Sequence, residues 1–227
     1  MIEISQNLIG IELFEETSKE MVFSSLVEFG SMGMSKIIRR ISILASSMFS
    51  DAFNAMKNFD QELAKDLYFR DNEVDKLFFF AMREMSEAFS DTRISKKLGV
   101  KKNSEGVSYL FVLKNIERIG DYTVKISQDV RNSERKLPNS LINYADEARG
   151  IYDKTLQSLF KRNIEVANEI LCDIENMRDL ENRTVEDLIK KSEKIHDAVT
   201  YSSIFNSLKG IIRHSANIAE AVINLGA

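Results

Sequence analysis

The chain holds 227 residues, among them 9 Gly, 1 Pro, 1 Cys and no Trp, with 44% apolar and 29% charged side chains. So few Gly and Pro cannot punctuate the turns of a sandwich, a barrel or a doubly wound sheet, and the composition excludes collagen-like, disulfide-rich and low-complexity classes. The formal charge of −4 is unevenly spread: residues 1–35 hold six Glu and one Lys, so the other 192 carry +1 and lack the basic footprint of a nucleic-acid-binding domain.

The first 35 residues read as a small β-like appendage. Residues 8–14 and 21–27 are two short apolar runs joined by a polar segment, a pattern for two strands that would not stand alone as an isolated hairpin. From Ser35 the period becomes helical. Ile37, Ile38, Ile41, Leu44, Ala45, Met48, Phe49 and Phe53 recur at three- and four-residue steps to about residue 57. A second helix is expected over about 60–89, with Leu63, Leu67, Val74, Leu77, Phe78, Ala81, Met82 and Met85 on its apolar face. Residues 91–106 break the period, and a third helix follows over about 107–132.

The only proline, Pro138, sits in a polar stretch over 135–140 that marks a mid-chain boundary. Three more helices follow, over roughly 140–161, 164–196 and 199–224. Three helices, a loop and three helices suggest an internal duplication. The expected fold is therefore all-α, two tandem three-helix bundles over 36–134 and 139–227 behind the appendage at 1–35. The longest apolar runs, such as 77–82, fall far short of the ~20 residues of a membrane span. The N-terminus lacks signal-peptide features, and Cys172 has no internal disulfide partner. A cytoplasmic protein is expected.

Chemistry concentrates on two acidic pairs. Asp71 and Asp75 are four apart on the second helix, as are Glu117 and Asp121 on the third, so each pair projects from one helix face. Each pair borders an apolar stripe, where like charges repel and lose hydration. Hard cations, protons or basic partners would answer that, and inward carboxylates on bundle helices do hold metal. The alternative is four solvated acids paired with Arg70 and Arg118.

The stretches Ile116-Glu-Arg-Ile-Gly-Asp-Tyr122 and Arg70-Asp-Asn-Glu-Val-Asp-Lys-Leu77, taken together, resemble the E/D-x-x-x-D signatures of the PhoU-like phosphate-signalling regulators. The resemblance spans about residues 8–226, and residues 8–27 are similar to the segment that precedes the bundles in archaeal-type members. There an AbrB-like DNA-binding domain usually comes first. It is missing from this sequence, so nucleic acid would be reached only through that absent domain. The resemblance implies tandem three-helix bundles, spectrin-repeat-like in build, and a non-enzymatic regulator of phosphate uptake. It also implies partners such as a phosphate-transporter ATPase or a sensor kinase, a homodimer, and iron or zinc at the signature carboxylates.

The second repeat departs from the signature. Aligned on Ala64 and Ala167, it has Ile174 and Arg178 at the places of Asp71 and Asp75; aligned on Asn115 and Ser207, it has Lys209 and Arg213 at those of Glu117 and Asp121. Ammonium and guanidinium groups have no lone pair for a metal, so one metal site at most is expected, in the first repeat. Arg178, Lys209 and Arg213 are then candidates for an anion site, or else a solvated edge paired with Glu175, Asp179 or Glu181. Glu175-x-x-x-Asp179 is a rival acidic match one residue out of register.

The step from Glu193 to His196 matches a di-iron ligand pair but lacks its second copy, because Ile211 stands three residues before the only other histidine, His214. His214 is expected to pack, and Cys172 to lie in the interior. Three consecutive Phe at 78–80 cannot all face one core, which leaves Phe79 or Phe80 for another subunit or partner. A carboxylate-bundle enzyme and a metal-free dimerisation module are the two other functional classes that fit this reading.

Overall fold

The computed structural model describes residues 9, 11–16, 21–25, 28–65 and 67–226. Strands β1 (Ile11–Glu16) and β2 (Met21–Ser25) pair antiparallel, with Leu13 opposite Phe23 and an irregularity before Glu15. The outer ends of the two expected strands, at 8, 10, 26 and 27, and the link at 17–20 lie outside the described residues. Eight helices follow: α1 (Met34–Asn58), α2 (Leu67–Ser90), α3 (Thr92–Leu98), α4 (Asn103–Asn132), α5 (Asn139–Lys161), α6 (Ile164–Glu175), α7 (Arg178–Lys191) and α8 (Ile195–Gly226).

The apolar stripe of α1 is buried as its spacing requires: Met34, Ile37, Ile41, Ala45, Met48 and Ala52 are wholly inaccessible. One continuous core runs through both halves, and the last helices of the halves, α4 and α8, share the most extensive helix–helix contact. No helix among the described residues is long and apolar enough to cross a membrane.

The duplication extends to the turns. Phe59 and Arg162, aligned by the same offset as Ala64 and Ala167, close α1 and α5 in the left-handed region, with φ of 56° and 49°; they are the only such non-glycine residues among those described. Each is followed by a side-chain cap. Asp60 Oδ1 accepts from the amides of Glu62 and Leu63, and Asn163 Oδ1 from that of Val166. The starts of α4 and α8 match likewise. Glu105 Oε2 accepts the Lys101 amide, and Asp197 Oδ2 accepts those of Glu193 and Lys194. Arg162 then pairs with Glu105 at 2.7 Å, and Arg135 lies 3.8 Å from Asp197.

Several expectations are corrected. The helix expected from residue 60 begins at Leu67, because the Asp60 cap holds 60–65 as turns. The supposed break at 91–106 contains α3, capped by Asp91 and ended by Gly99 at φ 74°. The single helix expected over 164–196 is two, divided where Asn176 and Met177 leave helical ψ and Met177 turns into the core. Cys172 is exposed rather than interior. Phe80 is buried and Phe79 is 51% exposed; Met82, placed on the core face by period, is 40% exposed.

Candidate metal centre

Helices α2 and α4 pack directly together, and Gly120 sets how closely the acidic stretch is approached. A Cβ at that position would lie 3.2 Å from Asp71 Oδ1 and 3.6 Å from Val74 Cγ1. With hydrogen in its place, the carboxylates of α2 reach those of α4. Asp75, Glu117 and Asp121 each offer an oxygen, and the three oxygens lie within 4.8 Å of one another. Asp71, one turn earlier on α2, stands outside that trio. Its Oδ1 is buried and has no hydrogen-bond partner among the described residues.

The electrostatics follow from this convergence. Burial, then the charges of Asp75, Asp121 and Glu117, pushes the Asp71 carboxyl up to about 7. Burial and Asp121 raise Asp75 as well, against the pull of Lys114 and Arg118. Glu117 is raised, chiefly by burial, although the Lys114 ammonium sits 2.8 Å from Oε1 and 2.7 Å from Oε2.

The two basic residues named as alternative partners behave differently. Arg118 donates to Asp121 Oδ2 at 2.9 Å. Arg70 turns away to α1, where it binds Asp51 and donates to Ser47 Oγ. Glu117 and Asp121 are thus partly neutralised from their own helix, by Lys114 and Arg118, while Asp71 and Asp75 make no ion pair among the described residues. The arrangement can accept a proton or a hard cation, and its unneutralised carboxylates, Asp71 and Asp75, lie on α2.

Sequence reasoning missed Lys114, Gly120 and the cluster beside them. Lys114 precedes Glu117 by three residues, and a glycine inside a helix signals close approach, so both signals were present. The cluster joins the halves, so no local signal existed. His214 Nδ1 lies 2.7 Å from Asn115 Oδ1, which also accepts from Asn217 Nδ2 at 2.9 Å. Because Asn115 Nδ2 donates to the Phe111 carbonyl, its oxygen faces His214, and Nδ1 carries the hydrogen. Burial, then Arg213 and Arg118, lowers the His214 pKa.

In the second half the candidates separate. Lys209 donates to Glu181 Oε2 at 2.8 Å and Arg213 to Tyr122 Oη at 3.1 Å. Both line one groove of about 600 Å³, of which Arg178 forms no part. Glu175 closes α6 and Asp179 lies in α7, so that rival pair does not ride on one helix. Glu193 is held by Arg135 at 2.7 Å, and His196 Nε2 meets the Asn132 carbonyl at 3.2 Å, which leaves no ligand pair there.

The sequence matches the family model of the PhoU domain twice, over residues 38–130 and 141–222. Two solved structures share the fold. PhoU from Pseudomonas aeruginosa superposes with a TM-score of 0.75 at 16% identity, over 85% of this chain and 94% of that one. The phosphate transport system regulatory protein PhoU from Streptococcus pneumoniae does so with a TM-score of 0.71 at 17% identity, over 85% and 92%. No curated protein sequence matches the chain.

Proposed function

Because this chain belongs to the PhoU domain family, we propose that it controls phosphate uptake by binding a phosphate-transporter ATPase or a sensor kinase, as a cytoplasmic homodimer, with a cation on the α2–α4 carboxylates. Membership makes it a regulator of phosphate transport or signalling and not an enzyme. The observation that carries the reading is the family match over both halves, 38–130 and 141–222. In this reading the halves 36–134 and 139–227 are the two repeats, and only the first holds metal.

The donor set supports the cation. Asp75, Glu117 and Asp121 supply converging oxygens, and the unpartnered Asp71 Oδ1 is a buried acceptor beside them. A hard ion would satisfy that oxygen and offset the burial and the neighbouring charges that together raise Asp71. Of iron and zinc, the all-oxygen set suits iron better, since zinc more often takes imidazole or thiolate. Lys114 and Arg118 would release Glu117 and Asp121 to the ion.

Two measurements test this. Elemental analysis of the purified protein should find bound metal that Asp75→Ala removes; metal absent, or unaffected by that substitution, overturns the site. Affinity capture from the source cell should recover phosphate-transport or sensor-kinase components; recovery of neither overturns the regulatory mechanism.

A further inference from the structure

The repeat-related counterpart of the acidic centre is a groove of opposite charge. It forms between α4, α8 and the α6–α7 break, and three of its lining residues are the aligned equivalents of the acids: Ile174 for Asp71, Lys209 for Glu117 and Arg213 for Asp121. To these, α4 adds Lys125 and Tyr122, and α7 adds Glu181. We infer that this groove binds a phosphoryl oxyanion, held by Arg213, Lys125, Lys209 and the Tyr122 hydroxyl.

The charge count favours an anion. Three cations face one carboxylate, and both oxygens of that carboxylate are engaged: Glu181 Oε1 accepts from Tyr144 Oη at 3.0 Å, and Oε2 from Lys209 at 2.8 Å. Arg213 and Lys125 make no ion pair among the described residues. Its lining residues therefore carry a net charge of +2, three cations against one carboxylate, in a chain whose total is −4, although the Asp129 carboxylate one turn on also feels Lys125.

The hydrogen-bond inventory agrees. Arg213 Nη2 donates to Tyr122 Oη at 3.1 Å, which leaves the tyrosine's own hydrogen to donate elsewhere. Guanidinium, two ammoniums and a hydroxyl are then all available as donors, and an anionic phosphoryl group meets them with several charged acceptor oxygens. Gly210 maintains this arrangement. A Cβ there would stand 2.5 Å from Tyr122 Cζ, so only glycine admits the ring against α8. The volume of about 600 Å³ exceeds a bare phosphate and falls in the range of small-molecule sites. Ile174 and Ile212 offer an apolar wall to an organic portion.

The site is separate from the metal reading, and its test uses chelator-treated protein so that anion carried on a metal does not count. Inorganic phosphate and AMP are titrated calorimetrically at fixed ionic strength against a chloride control. Saturable binding of at least one is expected. Arg213→Gln and Lys125→Gln should each weaken it about tenfold or more, the usual loss for one charged hydrogen bond. Arg178→Gln, outside the groove, should change it less than about twofold. Tighter binding of AMP identifies a phosphorylated small molecule as the ligand; equal or tighter binding of phosphate identifies the bare oxyanion. No saturable binding of either probe, or equal weakening by Arg178→Gln and Arg213→Gln, overturns the proposal.

Discussion

Asp71→Asn removes the cost of ionising a carboxyl that is half-buried and crowded by three others between two helices. In the metal-free protein this carboxyl titrates near 7, against about 3.9 in an unfolded chain. Its folded-state pKa is raised, so the folded state holds the proton more tightly. The stability contributed is complete below about pH 4 and disappears as pH rises through about 7. Holding the proton from about 3.9 up to about 7 corresponds to ~4 kcal/mol at full strength. The side chain is only half-buried, and screening by solvent reduces this to ~1–2 kcal/mol. Asparagine keeps the shape and cannot ionise. The variant without metal should therefore match the parent near pH 4 and exceed it at pH 8, by about 3–6 °C in Tm for a chain of this length. Thermal melts of chelated protein across pH 4–8 measure the difference. A constant difference across that range, or a variant less stable than the parent at pH 8, refutes the reasoning. Addition of metal should reverse the order, because asparagine supplies a weaker ligand.

Gly120→Ala places a methyl group 3.2 Å from Asp71 Oδ1, tighter than ordinary contact, and displaces the carboxylate by a few tenths of an ångström. It should cost under ~1.5 kcal/mol of stability, in the low range of overpacking, yet weaken metal binding severalfold, as read by melts and competition with a chelator. Glu105→Gln should destabilise by ~1–2 kcal/mol at pH 7, because its oxygens accept from Lys101, Tyr109 and Arg162 and an amide presents a donor to those donors. Burial raises the Glu105 pKa, but the hydrogen bonds from Lys101, Arg162 and Tyr109 outweigh it and hold the group below its usual value. That contribution is present above the unfolded pKa and lost as pH falls through the lower folded one, so the gap between parent and variant should close as the melts are extended to more acidic pH.

The helical class and both acidic pairs were legible in the sequence because they are local. A stripe at three- and four-residue steps fixes which face of α1 is buried, and a four-residue step fixes that Asp71 and Asp75 share a face, whatever lies opposite. The bend at Asn176–Met177 was not legible, since the helical period of 164–196 continues through it. Met177 at that break is buried in a core assembled from distant segments, which no local pattern reveals. Cys172 failed for a similar reason: its type favours the interior, but α6 turns that face outward.

By itself the sequence determined an all-helical duplicated chain with acids in one half and bases at the matching places of the other. Only the tertiary structure decided how those charges are paired. Arg70 directly precedes Asp71 in sequence yet reaches Asp51, because α1 packs beside α2 and offers a carboxylate within its length. Arg213 meets Tyr122, ninety-one residues away, because α4 lies along α8 and Gly210 leaves room for the ring. Spacing along one helix fixes where a side chain points, but its partner depends on which helices the common core holds side by side.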